Sequence, residues 1–152
     1  MIFVSVGTLH YPFGRLMAAL RDLPADQLVV QHGPATPPPG VAEAAPFLRL
    51  NELTARIDSA DHVITHAGCG TIFHAIRAGH TPIVVPRLKR FGEHVDDHQL
   101  ELALSLAAEG KVIAVSDTAE LGAALARVPE RQPPRVPEPG PLHAAVRAAI
   151  LG

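Results

Sequence analysis

His66-Ala67-Gly68-Cys69-Gly70-Thr71 is the stretch of this chain best suited to gripping an anion. It follows a short apolar run, His62–Thr65, and opens a segment of helical period, Gly70–Ala78. Two glycines at alternate positions and the Thr71 hydroxyl would let amides converge on a diphosphate at a helix N-terminus, where free N–H groups and the positive dipole end favour negative charge. A second such turn is Gly7-Thr8, after the run Ile2–Val6. Glycine there lets a backbone approach a ligand that a Cβ would block, although a tight strand-to-helix turn accounts for it equally well. The third stretch, Pro86 to Gln99 (PRLKRFGEHVDDHQ), is dense in polar groups. Asp97 and Gln99 offer oxygen and amide groups suited to sugar hydroxyls, and Arg87 or Lys89 a cation for phosphate. The plainer reading of this stretch is a solvated loop with Asp96 or Asp97 capping a helix.

Several chemistries are excluded or disfavoured by the same residues. The lysine and the four-residue spacer of a P-loop are missing, and the pattern is not the GxGxxG fingerprint, which belongs after the first strand with an acidic residue about 20 positions on. NTP hydrolysis and nicotinamide chemistry therefore fit poorly. Cys69 is the only cysteine, which rules out an internal disulfide or a multi-cysteine zinc site. Its place at a helix start favours thiol reactivity, yet no histidine–acid relay is assigned to it. His94 and His98 stand four apart, a metal-binding spacing on a helix, but the helix is expected to begin between them, so no metal site is assigned. Glu93, His94 and His10 are the candidates for acid–base work, and nothing in the sequence ranks them.

These residues need a scaffold, and the hydropathy pattern supplies one. Six short apolar runs read as strands: Ile2–Val6, Gln27–Gln31, Phe47–Leu50, His62–Thr65, Pro82–Val85 and Lys111–Val115. Most are too uniformly apolar for one face to meet water, as in a parallel sheet covered on both sides. Segments of helical period alternate with them: Phe13–Leu23, Asn51–Ser59, Gly70–Ala78, His98–Ala108 and Ala119–Val128. The alternation predicts an α/β, Rossmann-like doubly wound parallel sheet, in which ligands bind at the carboxyl ends of the strands. All three polar stretches fall on that edge.

At 152 residues, 47% hydrophobic and 18% charged, the chain suits one globular domain, able to bury roughly 68–70% of its unfolded surface without disulfides. A net charge of -2 gives no general attraction for nucleic acid or an anionic membrane. No apolar run approaches the roughly 18 residues of a membrane span, and Met1 leads into IFVSVG without a signal-peptide n-region, so a cytoplasmic protein is expected. Two proline-rich stretches, GPATPPPG at 33–40 and PPRVPEPGP at 133–141, exclude ordinary helix or central strand. The expected organisation is an α/β domain over 1–130, a linker over 131–141, and a C-terminal helix over 142–152 that docks on its own domain or on a partner.

Three motifs in order, IFVSVGT with PFGRL, ADHVITHAGCGTI, and PIVVPRLKRFGEHVDDHQLELA, resemble the glycosyltransferase family 28 C-terminal domain. The similarity runs from Met1 to about Ala126 and is nearest to the small single-domain members that act as subunits in exopolysaccharide synthesis (PssE type) and in dolichol-linked N-acetylglucosaminyl transfer. The resemblance implies the donor-binding, C-terminal half of a GT-B glycosyltransferase, holding a UDP-sugar. In that family the loops matching Gly7 and Thr8, and His66, Gly68, Cys69, Gly70 and Thr71, surround the diphosphate. Residues matching Asp97 and Gln99 meet the donor sugar. His74 stands where many relatives carry a ribose-binding carboxylate; an imidazole offers one nitrogen in place of two oxygens, so ribose contact and a plain helix-surface role both stay open.

The expected function is therefore the UDP-sugar-binding catalytic subunit of an inverting glycosyltransferase acting on a lipid-linked glycan, completed by a membrane-associated acceptor-binding partner at the inner face of the membrane. No cofactor is expected, because preorganised amides, a helix dipole and a cation can stabilise the leaving UDP without a metal. A homodimer is also compatible; a nucleic-acid partner is not expected. The alternative is a nucleotide or nucleotide-sugar binding module without transfer activity. On the transferase reading, replacing Asp97 and Gln99 by alanine abolishes transfer and spares UDP affinity.

Overall fold

The computed structural model describes residues 1–135 together with 148 and 149. Six strands, β1 (Ile2–Ser5), β2 (Leu28–Gln31), β3 (Glu43–Ala45), β4 (His62–His66), β5 (Ile83–Val85) and β6 (Ile113–Ala114), form one sheet in the order β3-β2-β1-β4-β5-β6. Every neighbouring pair is parallel. Among the described residues, α1 (Gly14–Ala19), α2 (Leu50–Ser59), α3 (Cys69–Arg77) and α4 (His98–Ala108) run between strands, and α5 (Leu121–Ala126) follows β6. This is the expected doubly wound α/β fold, and the strand order reverses between β1 and β4, which opens a crevice at their carboxyl ends.

The central strands are covered on both faces, which is why they are mostly apolar. Val4, Val30, Ile64 and Ile83 face α1 and α5 through Phe13, Leu16, Leu20 and Leu121. Phe3, Val29 and Val63 face α2 and α3 through Ile57 and Ala75, and Val84 packs with Ile72, Ala103 and Leu106 of α3 and α4. Each fully buried large side chain contributes about 1.5–3 kcal/mol, so the register of β1 between its two neighbours is strongly fixed.

The third strand is not where the apolar run predicted it. The strand expected over Phe47–Leu50 forms instead at Glu43–Ala45, and Leu50 begins α2. Phe47 and Leu50 are exposed. Glu43–Ala45 is an edge strand, paired only with β2, and the His32 amide donates to the Ala45 carbonyl at 3.0 Å. Backbone pairing from one side suffices there, so the segment needs no apolar signature. Glu43 also forms an ion pair with Arg56 of α2.

Residues 131–135, in the segment expected to be linker, lie along the ends of α2 and α3. Arg131 Nε donates to the Ala78 carbonyl at 2.9 Å and Nη1 to that of Asp58 at 2.7 Å. The amides of Gln132 and Arg135 donate to the carbonyls of Gly79 and Arg77 at 2.9 and 2.8 Å. Gly79 has φ +90°, and a Cβ there would run into the Gln132 carbonyl. Gly79→Ala is expected to lift this strap and cost about 1–3 kcal/mol, read as a lower urea midpoint and faster tryptic cleavage after Arg131. The rest of the expected linker, and all of the helix expected over 142–152 except 148 and 149, lie outside the described residues.

Candidate functional site

The crevice between β1 and β4 is a cavity of about 280 Å³. Gly7, Thr8 and Leu9 line one side, His66, Gly68, Gly70 and Thr71 another, and Phe47, Leu48 and Leu53 an apolar flank. The two glycine turns singled out in the sequence thus meet in space. The floor is Ser5 and Gln31, the last residues of β1 and β2.

Gln31 fixes the Gly7 turn. Its Oε1 accepts from Ser5 Oγ at 2.9 Å and from the amides of Val6 and Gly7, each at 3.1 Å. Its Nε2 donates to the carbonyls of Gly7 at 3.0 Å and Pro46 at 2.7 Å. One buried amide therefore ties the loop after β1 to the loop after β3. Gln31 is not among the expected site residues, although a lone polar residue ending an apolar strand at the ligand-binding edge is a usable signal.

His66 sits at the centre. A Cβ at Gly7 would lie 2.7 Å from His66 Cε1 and nearer still to Nε2, and a Cβ at Gly68 would also come inside 3.0 Å. The imidazole is thus clamped between two bare backbones, which is the physical reason for both glycines. Gly68 precedes α3, and no side chain caps this helix or places an acid in its first turn. Its leading amides and dipole are available to an anion at the cavity wall.

Behind His66 lies a buried polar network that the sequence did not reveal. Arg87, expected to balance phosphate charge, is fully buried under the site. Nη1 donates to the Tyr11 carbonyl at 2.8 Å, Nη2 to that of Val6 at 2.9 Å, and the guanidinium stacks 4.8 Å from the Phe13 ring centroid. It pins both ends of the loop after β1. Burial pushes its pKa down to about 10, against the opposing pull of Glu93, so it stays cationic at neutral pH. Gln99 is buried as well: its Oε1 accepts from the Arg87 amide at 3.1 Å and its Nε2 stands 3.3 Å from His66 Nδ1.

Other expected site residues lie apart from the cavity. Glu93 is buried in a two-pronged ion pair with Arg15 of α1, both contacts 3.0 Å, and its Oε2 also accepts from the Leu88 amide at 3.0 Å. Its oxygens are spent on structure, which corrects its candidacy as an acid–base group. His74 is not on the cavity wall; it lines a separate groove with Thr54 and Asp58 of α2 and with Arg77. Asp97 is exposed at the N-cap of α4, and its Oδ1 accepts from the Lys89 amide at 2.9 Å rather than capping the helix. Asp96 accepts from the His98 amide at 3.0 Å and lies 3.0 Å from His94 Nδ1. His10 is exposed beside Tyr11, and Cys69 is exposed at the first turn of α3.

A family model for the glycosyltransferase family 28 C-terminal domain matches residues 1–133. The chain belongs to that family. This family 28 domain is 32% identical over 83 residues to the UDP-N-acetylglucosamine transferase subunit ALG13 of Yarrowia lipolytica (strain CLIB 122 / E 150), a stretch covering 55% of this chain and 40% of that protein. The domain therefore matches less than half of that relative's length. Among solved structures it is similar to the glycotransferase of kitacinnamycin (TM-score 0.59, 24% identity, 82% of this chain and 33% of that one). It is also similar to the glycosyltransferase SnogD from Streptomyces nogalater (TM-score 0.55, 18% identity, 99% of this chain and 43% of that one). At these identities the likeness is one of fold, and it supports the GT-B architecture expected for a family 28 domain.

The buried histidines give the domain an acid-sensitive stability. Burial, reinforced by the Arg87 charge and by His94, pushes His66 down to about 4. Burial also holds His80, which bonds the Ile57 carbonyl at 2.8 Å, below the usual histidine range. Both are neutral when folded at pH 7 and regain ordinary basicity when unfolded, so the unfolded chain binds more protons below about pH 6.5. Stability should be full above that value and fall as pH drops towards 4, with His66 contributing on the order of 3 kcal/mol to the loss. Urea midpoints between pH 7 and 4.5 would read this slope, and His66→Gln should flatten it.

Proposed function

We propose that the cavity between β1 and β4 holds the diphosphate of a UDP-sugar, and that this family 28 domain is the donor-binding catalytic subunit of an inverting, metal-independent glycosyltransferase acting on a lipid-linked glycan. One observation carries the reading: two bare glycine turns and an uncapped helix start converge around a neutral imidazole at the switch point of a parallel sheet. In that arrangement the Gly68–Thr71 amides grip the diphosphate, the Gly7 turn, whose own amide donates to Gln31, lets it approach closely, and the apolar flank of Phe47, Leu48 and Leu53 suits a nucleobase.

Negative charge grows on UDP as the sugar–phosphate bond breaks. The α3 dipole, the clustered amides and the buried Arg87 cation beneath them stabilise that charge without reorganising. An acceptor hydroxyl attacking from the opposite face of the sugar inverts the anomeric carbon, and it needs a general base. The residues lining this cavity include no carboxylate, and His66 is a poor base when held near pKa 4. The base, with the lipid-linked acceptor, then comes from a membrane-associated partner, as suits a domain resembling a transferase subunit. No helix among the described residues is long and apolar enough to cross a membrane, so membrane attachment on this reading runs through that partner. Incubating the chain with UDP-sugar and lipid-linked acceptor in detergent, with and without solubilised membranes from its own cell, tests the proposal. Transfer is expected only with the membranes; robust transfer by the pure chain would refute the need for a partner, and none in either case would refute the transferase assignment.

A further inference from the structure

The polar groups of Gln99 point inward, to Arg87 and His66. The amide of Arg87 can only donate, so the atom it meets at 3.1 Å is the carbonyl oxygen of Gln99. That fixes the orientation of the side-chain amide and turns its NH₂ towards His66, 3.3 Å from Nδ1. An NH₂ group donates, so Nδ1 must accept, and the single proton of the neutral ring then sits on Nε2. Nε2 is the edge of the ring wedged between the Gly7 and Gly68 backbones, and His66 lines the cavity.

We propose that Gln99 is a positioning residue that locks His66 as its Nε2–H tautomer, so that the imidazole presents a hydrogen-bond donor rather than a lone pair to the anion in the glycine cradle. The inference rests on the diphosphate reading of the cavity for its consequence, but the tautomer itself does not. It also assigns the third polar stretch of the sequence a second task. The loop after β5 and the start of α4 reach across the sheet edge and set the protonation pattern of a residue on β4. The Arg87 amide is the anchor of that chain of bonds, because without it the Gln99 amide is free to flip and offer its oxygen to Nδ1. The Arg87 charge acts against protonation of this ring, and His94 acts in the same direction.

The role differs measurably from contact with a donor sugar. UDP carries no sugar, so a Gln99 that only met the sugar would leave UDP affinity unchanged. A Gln99 that positions His66 would not.

The test uses the full chain labelled with ¹⁵N-histidine at pH 7, with His66 assigned by loss of its signals in His66→Gln. Two-bond proton–nitrogen spectra should show a protonated Nε2 and an unprotonated Nδ1 in the wild-type protein. In Gln99→Glu the carboxylate keeps an acceptor for the Arg87 amide but cannot donate to the ring, and Nδ1 should become protonated. In Gln99→Met, which removes both bonds at similar size, UDP should bind about 10-fold more weakly than to the wild-type protein. A wild-type His66 protonated at Nδ1, or an unprotonated Nδ1 in folded Gln99→Glu, would overturn the proposal. Unchanged UDP affinity in Gln99→Met would overturn the positioning role. If Gln99→Met fails to fold, the wild-type and Gln99→Glu spectra decide alone. If wild-type protein shows the expected tautomer yet binds no UDP, the diphosphate reading fails and the tautomer assignment stands.

Discussion

Gly68→Ala is expected to weaken UDP binding by about 10- to 100-fold, because forcing a methyl group into a packed site costs about 1–3 kcal/mol and each 1.4 kcal/mol is tenfold in affinity. The backbone at Gly68 is ordinary, with φ -89° and ψ 124°, so alanine meets no conformational strain there. What it meets is the His66 ring, inside 3.0 Å. The ring is held from behind by Gln99 and from the other side by Gly7, so it cannot retreat without breaking the bond to Nδ1 or displacing the loop after β1. Gly70 is the control. Nothing lies within 4 Å of a Cβ built there, and the position is already helical. Gly70→Ala should therefore raise stability by up to about 1 kcal/mol, and any loss of UDP affinity in that variant would report contact between ligand and the Gly70 backbone rather than damage to the fold. Calorimetric titration of both variants with UDP, beside urea denaturation, separates the two effects. Equal affinity in Gly68→Ala and wild type would mean that His66 and its cradle do not touch the ligand.

Glu93→Ala is expected to destabilise the domain by about 3–5 kcal/mol, the cost of stranding one member of a buried ion pair. Arg15 would lose both carboxylate contacts and the Leu88 amide would lose its acceptor. The Arg15–Glu93 pair joins α1 to the loop after β5, and Arg15 also donates to the carbonyls of Pro86 at 2.9 Å and Ser116 at 3.0 Å. The loss should appear as a fall of about 10 °C in melting temperature for a chain of this size. Arg15→Ala should cost a similar amount, and the double variant much less than the sum, since the two residues act on one interaction. A Glu93→Ala protein that melts like wild type would restore Glu93 as a candidate for acid–base chemistry.

The fold was legible because its central strands are buried on both faces, and that burial writes itself into the sequence as predominantly apolar runs such as IFVSV and PIVV. Glu43–Ala45 escaped for the converse reason: an edge strand is held by backbone bonds from one neighbour, and its side chains carry no pattern. The two glycine turns were legible because close backbone approach demands glycine, and their spacing after apolar runs placed them on one edge. The network beneath them was not. Arg87, Glu93 and Gln99 look in sequence like members of a solvated polar loop, and only the fold shows that Val6, Tyr11, Arg15 and His66 turn inward to meet them. Partners distant in sequence leave no local signal, so residues that read as ligand contacts prove to bond one another. For His74, open in the sequence between ribose contact and a plain helix-surface role, the fold shows a place in the groove beside α2.

On the proposed function, the crevice between β1 and β4 grips the diphosphate of a uridine nucleotide through backbone amides, without a metal. Titration calorimetry of the pure chain with UDP, ADP and GDP, each in EDTA and again with Mg²⁺, tests it most directly. Saturable binding of UDP is expected, with weaker binding of the two purine nucleotides and the same UDP affinity with and without the metal. Equal affinity for all three nucleotides, UDP binding that appears only with Mg²⁺, or no binding of UDP at all would contradict it.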